Sequence, residues 1–381
     1  MSNQIINGLL YSDNKPVSIE IESGIIKKIT RSRKTVENTI ISPGLIDLQI
    51  NGIAGIGFSE EKLSEQDISV AIQKIWSVGV TTFLPTLITI PRARLIKNLT
   101  LLAKIKKDSR FCDSLYGFHL EGPFIAAEDG PRGAHNRLWV KDIDKTEFDR
   151  YLKAAENQIA LLTLDPSKSG AADFIKKCVQ QNIRIGLGHH NASADEINRA
   201  VEAGASLSTH LGNGASIYIH RHYNSIWPQL ADDRLKASII ADGFHLLPEE
   251  LRVFYRAKSK ENLILISDMT SLSAMPPGTY GWYEQEITIT PEGKMSLSGT
   301  DMLAGAYSPL SEDIGNMIRF SGCSLADAID MATKTPADLL GMDDRGLIAE
   351  NKRADLILFT IEDDKPVLQK TILCGQEVYR K

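Results

Sequence analysis

Several short runs of the sequence carry acids and histidines, side chains that can hold a metal ion or move a proton. Glu121 stands in HLEGPF, His189 in GHHNA, His210 in STHLGN, Asp242 and His245 in IADGFH, and Asp268 in SDMT. One carboxylate and two imidazoles from separate strands can give three ligands to a divalent ion, with water completing the shell. A site of that kind keeps an exchangeable position and is catalytic in type. Such an ion lowers the pKa of its water to roughly 7 and polarises a carbonyl. Asp268 is suited to orient the water, take its proton and return it to a leaving nitrogen. Singly, each residue has a plainer reading: a lone strand-end histidine is most often a hydrogen-bonded structural residue, and Asp268 could cap a helix. Their conjunction points to metal-assisted hydrolysis.

These groups lie far apart in the chain, so a scaffold must gather them. Apolar strand runs are read near 45–50, 81–88, 115–121, 159–165, 183–189, 206–210, 236–242 and 263–268. Between them fall amphipathic helices, one with Ile68, Ala71, Ile72 and Ile75 at helical spacing and another opened by the capping box Ser193-Ala194-Asp195-Glu196. The alternation favours an α/β chain built as a closed parallel (β/α)8 barrel, in which catalytic groups come from the C-terminal strand ends. On that reading Gln49, Asn51, Glu121, His189, His210 and Asp268 share one mouth, with Asp242 and His245 beside them. In PGLIDLQING (43–52), Asp47, Gln49 and Asn51 alternate and are expected to project from one face. The first 40 residues read as short strands, VSIEI and IIKKI around Glu22-Ser23-Gly24, and ADLILF and TILCGQEVYR near the end read likewise. Neither end has enough strands to bury a face alone, so the two are expected to combine beside the barrel. This divides the chain into 1–42, 43–344 and 345–381. After the eighth strand, EITITPEGKMSLSG reads as a hairpin turning at Pro291-Glu292-Gly293.

A chain of 381 residues is long enough for one barrel with a small subdomain. Its formal net charge of −5 gives no support for a nucleic-acid surface, which needs clustered excess Lys and Arg. No run reaches the roughly 18 apolar residues of a membrane span, and the start lacks a basic stretch before an apolar core. The cysteines at 112, 178, 323 and 374 form no CxxC pair and fit reduced, packed thiols. A cytoplasmic setting without membrane or nucleic-acid partners is expected.

PGLIDLQING, HLEGPF, RGAHN (132–136), GHHNA, STHLGN, IADGFH and SDMT together resemble the N-acetylglucosamine-6-phosphate deacetylase family of the amidohydrolase superfamily, over nearly the whole chain. The resemblance implies a metal-dependent barrel with a β-sandwich built from both termini, and hydrolysis of N-acetylglucosamine 6-phosphate to glucosamine 6-phosphate and acetate. It implies that Glu121, His189 and His210 hold the ion, that Asp268 accepts and donates the proton, and that His135 meets the substrate carbonyl. Sugar binding is implied for Ala134, His135, Asn213, Gly214, Asp242 and His245, and also for Leu303, Ala304 and Gly305. Arg221 is implied to cross a homodimer interface to the phosphate in the neighbouring pocket, a task whose bidentate geometry suits arginine. Many amidohydrolases carry His-x-His on the first strand for a second metal, where this chain has Gln49 and Asn51. Neutral amides are poor replacements for imidazole, so one divalent ion per chain is expected: zinc first, with iron, cobalt or manganese also compatible.

The segment after THL differs from the family pattern. Gly212-Asn213-Gly214-Ala215 replaces a bulky residue followed by Asn, Ala and Met, and IHRHYNSIWPQLADD replaces a Gly-Arg-Glu-Pro-Gly run. His190 replaces a small hydroxyl residue, and Arg221 sits between His220 and His222, a cluster that reads either as an anion site or as a solvated loop. A related N-acetyl amino sugar without the 6-phosphate is therefore the alternative substrate. A cyclic amidase ranks lower because that group uses the first-strand histidine pair with a carboxylated lysine, and the retained ligands argue against a silent binding barrel.

Overall fold

The computed structural model describes residues 4–32, 38–283 and 285–381. Eight strands pair in chain order: Leu45–Ile50, Val80–Leu87, Phe118–Glu121, Ile159–Leu164, Arg184–Leu187, Leu207–Ser208, Lys236–Ile239 and Leu263–Leu265. Every adjacent pair is parallel. The ring closes where Ile50 bridges Met269 and the Asn51 N–H donates to the Met269 carbonyl at 2.7 Å. The expected (β/α)8 barrel is thus present. Its helices bury one stripe each: Glu65–Trp76 presses Ile68, Ala71, Ile72 and Ile75 into a core shared with the outward strand residues Phe83 and Leu87. Ser64 and Ser193 both close capping boxes, satisfying amide groups that a helix start leaves free.

Inside the barrel, Ile46, Leu48, Leu84, Leu161, Leu207 and Ile264 pack together, joined by Leu339 and Leu340. A polar layer also runs through the interior. His119 contacts Thr86 at 3.3 Å through Nδ1 and Thr163 at 2.8 Å through Nε2, and Thr163 meets Thr209 at 2.8 Å. Burial pushes the His119 imidazole down to about 4, so it remains neutral in that layer.

The first strand does not keep the simple alternation expected of PGLIDLQING. Its register with the second strand slips between Asp47 and Ile50, as at a β-bulge, where an extra residue re-aims the side chains that follow. Ile46 and Leu48 join the interior cluster while Leu45 and Ile50 join the helix-facing one. Asp47 therefore parts company with the amides. Its carboxylate accepts the backbone N–H groups of Gln49 at 3.1 Å and Ser267 at 3.3 Å, whereas Gln49 and Asn51 both reach Asp268.

The terminal segments form one seven-stranded sheet. At its centre Ile40–Pro43 pairs parallel with Gln4–Leu10 and antiparallel with Leu356–Glu362. The sheet curls over a shared apolar face, for Ile6, Val17, Ile19 and Ile26 from the first end pack with Leu356 and Ile372 from the last. Only Gly44 separates the sheet from the barrel, and a Cβ there would meet Thr81 Oγ1 at 2.3 Å. The excursion after the eighth strand has three antiparallel strands, Gly278–Trp282, Gln285–Ile289 and Met295–Leu297, rather than the expected hairpin. Its first strand, GTYGW, carries two glycines and so reads as a turn. Among the described residues no helix is long and apolar enough to cross a membrane. Cys178 and Cys323 are buried as expected, but Cys112 is exposed.

Candidate active site

Glu121 ends the third strand, while His189 and His210 lie two residues past the ends of the fifth and sixth. Both histidines, and Asp268 beyond the eighth strand, adopt positive φ (53°, 31° and 50°). Such strain in non-glycine residues gathers at functional sites, where it turns side chains inward. One ligand atom from each of Glu121, His189 and His210 lies within 4.8 Å of the others, and all three residues are buried. Glu121 Oε1 is 3.0 Å from His189 Nε2 and 2.9 Å from His210 Nε2, and the two nitrogens are 3.1 Å apart. Burial opposes ionisation of Glu121, but the close His189 and His210 imidazoles hold its carboxyl well below the ordinary range. His189 Nδ1 is 2.9 Å from the Pro131 carbonyl. That contact keeps the hydrogen on Nδ1 and leaves the Nε2 lone pair facing the cluster, the usual support of a metal-bound imidazole. A carboxylate and two imidazoles so arranged could bind a metal ion.

Gln49 Nε2 donates to Glu121 Oε1 at 3.0 Å and to Asp268 Oδ1 at 2.9 Å, and Asn51 Nδ2 donates to the same Asp268 oxygen at 2.7 Å. Burial, reinforced by the Glu121 charge, pushes the Asp268 carboxyl up to about 7. His135 Nε2 is 3.2 Å from His189 Nε2. Its Nδ1 accepts the Thr89 backbone N–H at 3.4 Å, which places the ring hydrogen on Nε2. Burial and then the neighbouring His189 push His135 down to about 3, so it is a neutral donor.

These groups open into a chamber of about 680 Å³. Asn51, Ala134, Asn213, Gly214, Leu303 and Gly305 line it together with His245 and the cluster itself. Gln49 does not, being buried behind Asp268. Asp242, expected on the wall, sits behind His245: its Oδ2 meets His245 Nδ1 at 2.7 Å and its Oδ1 accepts two backbone N–H groups. That carboxylate orients the imidazole rather than facing the chamber. Ala304 is fully buried against Trp282 and Leu272, and Arg221 is exposed, away from the wall of its own chain. Gly214, at φ 57°, has no room for a side chain, since a Cβ would stand 2.9 Å from His189 Nδ1. Thr89 went unnoticed in the sequence, although it holds both His135 and, through Oγ1, the Glu121 carbonyl at 3.1 Å. A polar residue just past the second strand was the available signal.

The Amidohydrolase family pattern matches residues 40–378. The N-acetylglucosamine-6-phosphate deacetylase of Danio rerio is 32% identical over 361 residues, spanning 92% of this chain and 87% of that protein. The N-acetylgalactosamine-6-phosphate deacetylase of Escherichia coli O157:H7 is 28% identical over 349 residues, 89% of each. Among solved structures, N-acetylglucosamine-6-phosphate deacetylase from Thermotoga maritima aligns over 99% of this chain and 100% of its own, with TM-score 0.87 and 27% identity. The span of these matches, together with the gathered carboxylate, imidazoles and aspartate, makes the chain a member of the amidohydrolase family and, within it, of the N-acetylglucosamine-6-phosphate deacetylase family.

Proposed function

We propose that this chain hydrolyses the acetamide of N-acetylglucosamine 6-phosphate, releasing acetate and glucosamine 6-phosphate. The observation that carries the reading is one buried cluster in which Glu121, His189 and His210 meet while Gln49 and Asn51 hold Asp268 beside them. Glu121, His189 and His210 would hold a single divalent ion, zinc before iron, cobalt or manganese. When bound, such an ion acidifies water and polarises the acetyl carbonyl. Asp268 takes the proton of the attacking water and passes it to the nitrogen as the carbon–nitrogen bond breaks. His135 donates its Nε2 hydrogen to the carbonyl oxygen as negative charge develops there. Asn213, Gly214 and His245 receive the sugar, and Arg221 of a second copy reaches the phosphate, which makes a homodimer the working unit. The setting is cytoplasmic.

Acetate release from N-acetylglucosamine 6-phosphate and from its galactosamine 4-epimer tests the reading. Asp268→Asn is expected to lower kcat by about 10²–10⁴-fold while bound metal stays at one ion per chain. Turnover unchanged by that substitution would rule the role out.

A further inference from the structure

Ile88, Ala134 and Trp282 line the chamber, and Ile88 and Ala134 pack against the apolar cluster that contains Trp282, Leu272 and Ala304. Two of the three flank His135. Ala134 precedes it in the chain, and Ile88 precedes Thr89, whose N–H donates to His135 Nδ1. Trp282 comes from the three-stranded excursion, which is tied to the His135 loop where Gln285 Nε2 donates to the Ala134 carbonyl at 3.2 Å. It is only 7% exposed, so its ring is fixed by packing.

The strand order sets this apolar patch across the mouth from groups assigned to the sugar. Ile88 and Ala134 follow the second and third strands, whereas Asn213 and His245 follow the sixth and seventh. An acetamide whose carbonyl oxygen meets His135 Nε2, and whose nitrogen runs back to the sugar, has one substituent left on its carbonyl carbon. That substituent is the methyl group. It points away from the sugar, toward the patch, where its burial is favourable. We propose that Ile88 and Trp282 form the acyl pocket and limit it to an acetyl group, so that the excursion gauges acyl length. This rests on the deacetylase reading above and adds to it the two residues that select the acyl group.

The test measures acid release by the metal-loaded full chain from the N-acetyl, N-propionyl and N-butyryl forms of glucosamine 6-phosphate. The parent protein is expected to favour acetyl over propionyl by at least about tenfold in kcat/KM, the order of discrimination that one methylene gives in an apolar pocket. Ile88→Ala and Trp282→Ala are each expected to raise the propionyl-to-acetyl ratio by at least about tenfold. A general loss of fold or metal lowers all three substrates alike and leaves that ratio unchanged. If Trp282→Ala does not fold, Ile88→Ala alone decides. A parent protein that takes all three acyl groups equally, or a folded variant whose ratio does not move, overturns the inference and leaves the deacetylase reading standing. Release of no acid from any of the three by the parent protein defeats both.

Discussion

Gln49 has two amide hydrogens and points both into the site, one to Glu121 and one to Asp268. This bridge between two carboxylates supports a positioning role, which we propose for Gln49. Gln49→Ala is expected to lower kcat/KM by about 10–100-fold, the usual cost of losing a group that orients a ligand, with metal still bound. Gln49→Glu should cost more, since a third carboxylate between Glu121 and Asp268 repels both. Equal activity of the two variants in the acetate assay, or loss of metal from the alanine variant alone, would contradict the bridging role. The candidate ligands were legible because each closes an apolar run and because their short motifs, weak singly, occur together. The parting of Asp47 from Gln49 was not, because one slipped residue in a strand leaves no mark on its composition.

Element positions were legible to within a few residues, but the apolar runs were read too far toward the site. The fifth, sixth and eighth ladders stop at Leu187, Ser208 and Leu265, before His189, His210 and Asp268. Positive φ at those three residues takes the backbone out of strand geometry, and hydropathy cannot register it. The helix Leu310–Ser321 buries Leu310, Asp313, Ile314 and Met317 along one face. Asp313 is fully buried with neither oxygen hydrogen-bonded. Burial, then the charges of Asp242 and Asp47, push its carboxyl well above the ordinary range. A raised folded pKa means that the native state holds the proton more tightly than the unfolded chain. The contribution of Asp313 is therefore fully present below the usual carboxylate range and is lost as pH rises toward the raised value. Asp313→Asn should accordingly melt higher relative to the parent protein at pH 8 than at pH 5. A melting difference that is the same at both pH values would show that folded Asp313 is already ionised at pH 5 and that its pKa is not raised.

At the scale of the whole molecule, two cross-links of different kind hold distant segments. The curled terminal sheet joins residues 4–10 to residues 356–362 through Ile40–Pro43, and its existence followed from the shortage of strands at either end. The strand order inside it did not, because alternation fixes which face is buried and says little about which neighbour pairs. The second would be the proposed ion site, whose candidate ligands come from the third strand end and from just past the fifth and sixth. An ion bound there and absent from the unfolded chain stabilises the whole barrel by mass action, about 2.7 kcal/mol at a hundredfold excess over Kd. Removing it with a chelator is expected to abolish acetate release and to lower the melting temperature, and adding zinc back should restore both. Glu121→Gln, which removes the anionic ligand while keeping the side-chain shape, should bind the ion weakly and melt at a temperature that the chelator no longer shifts. If the parent protein instead released its ion with no change in melting temperature, the three ligands would have to be held in place by the barrel alone, with the Gln49 amide and the Pro131 carbonyl sufficient to fix them.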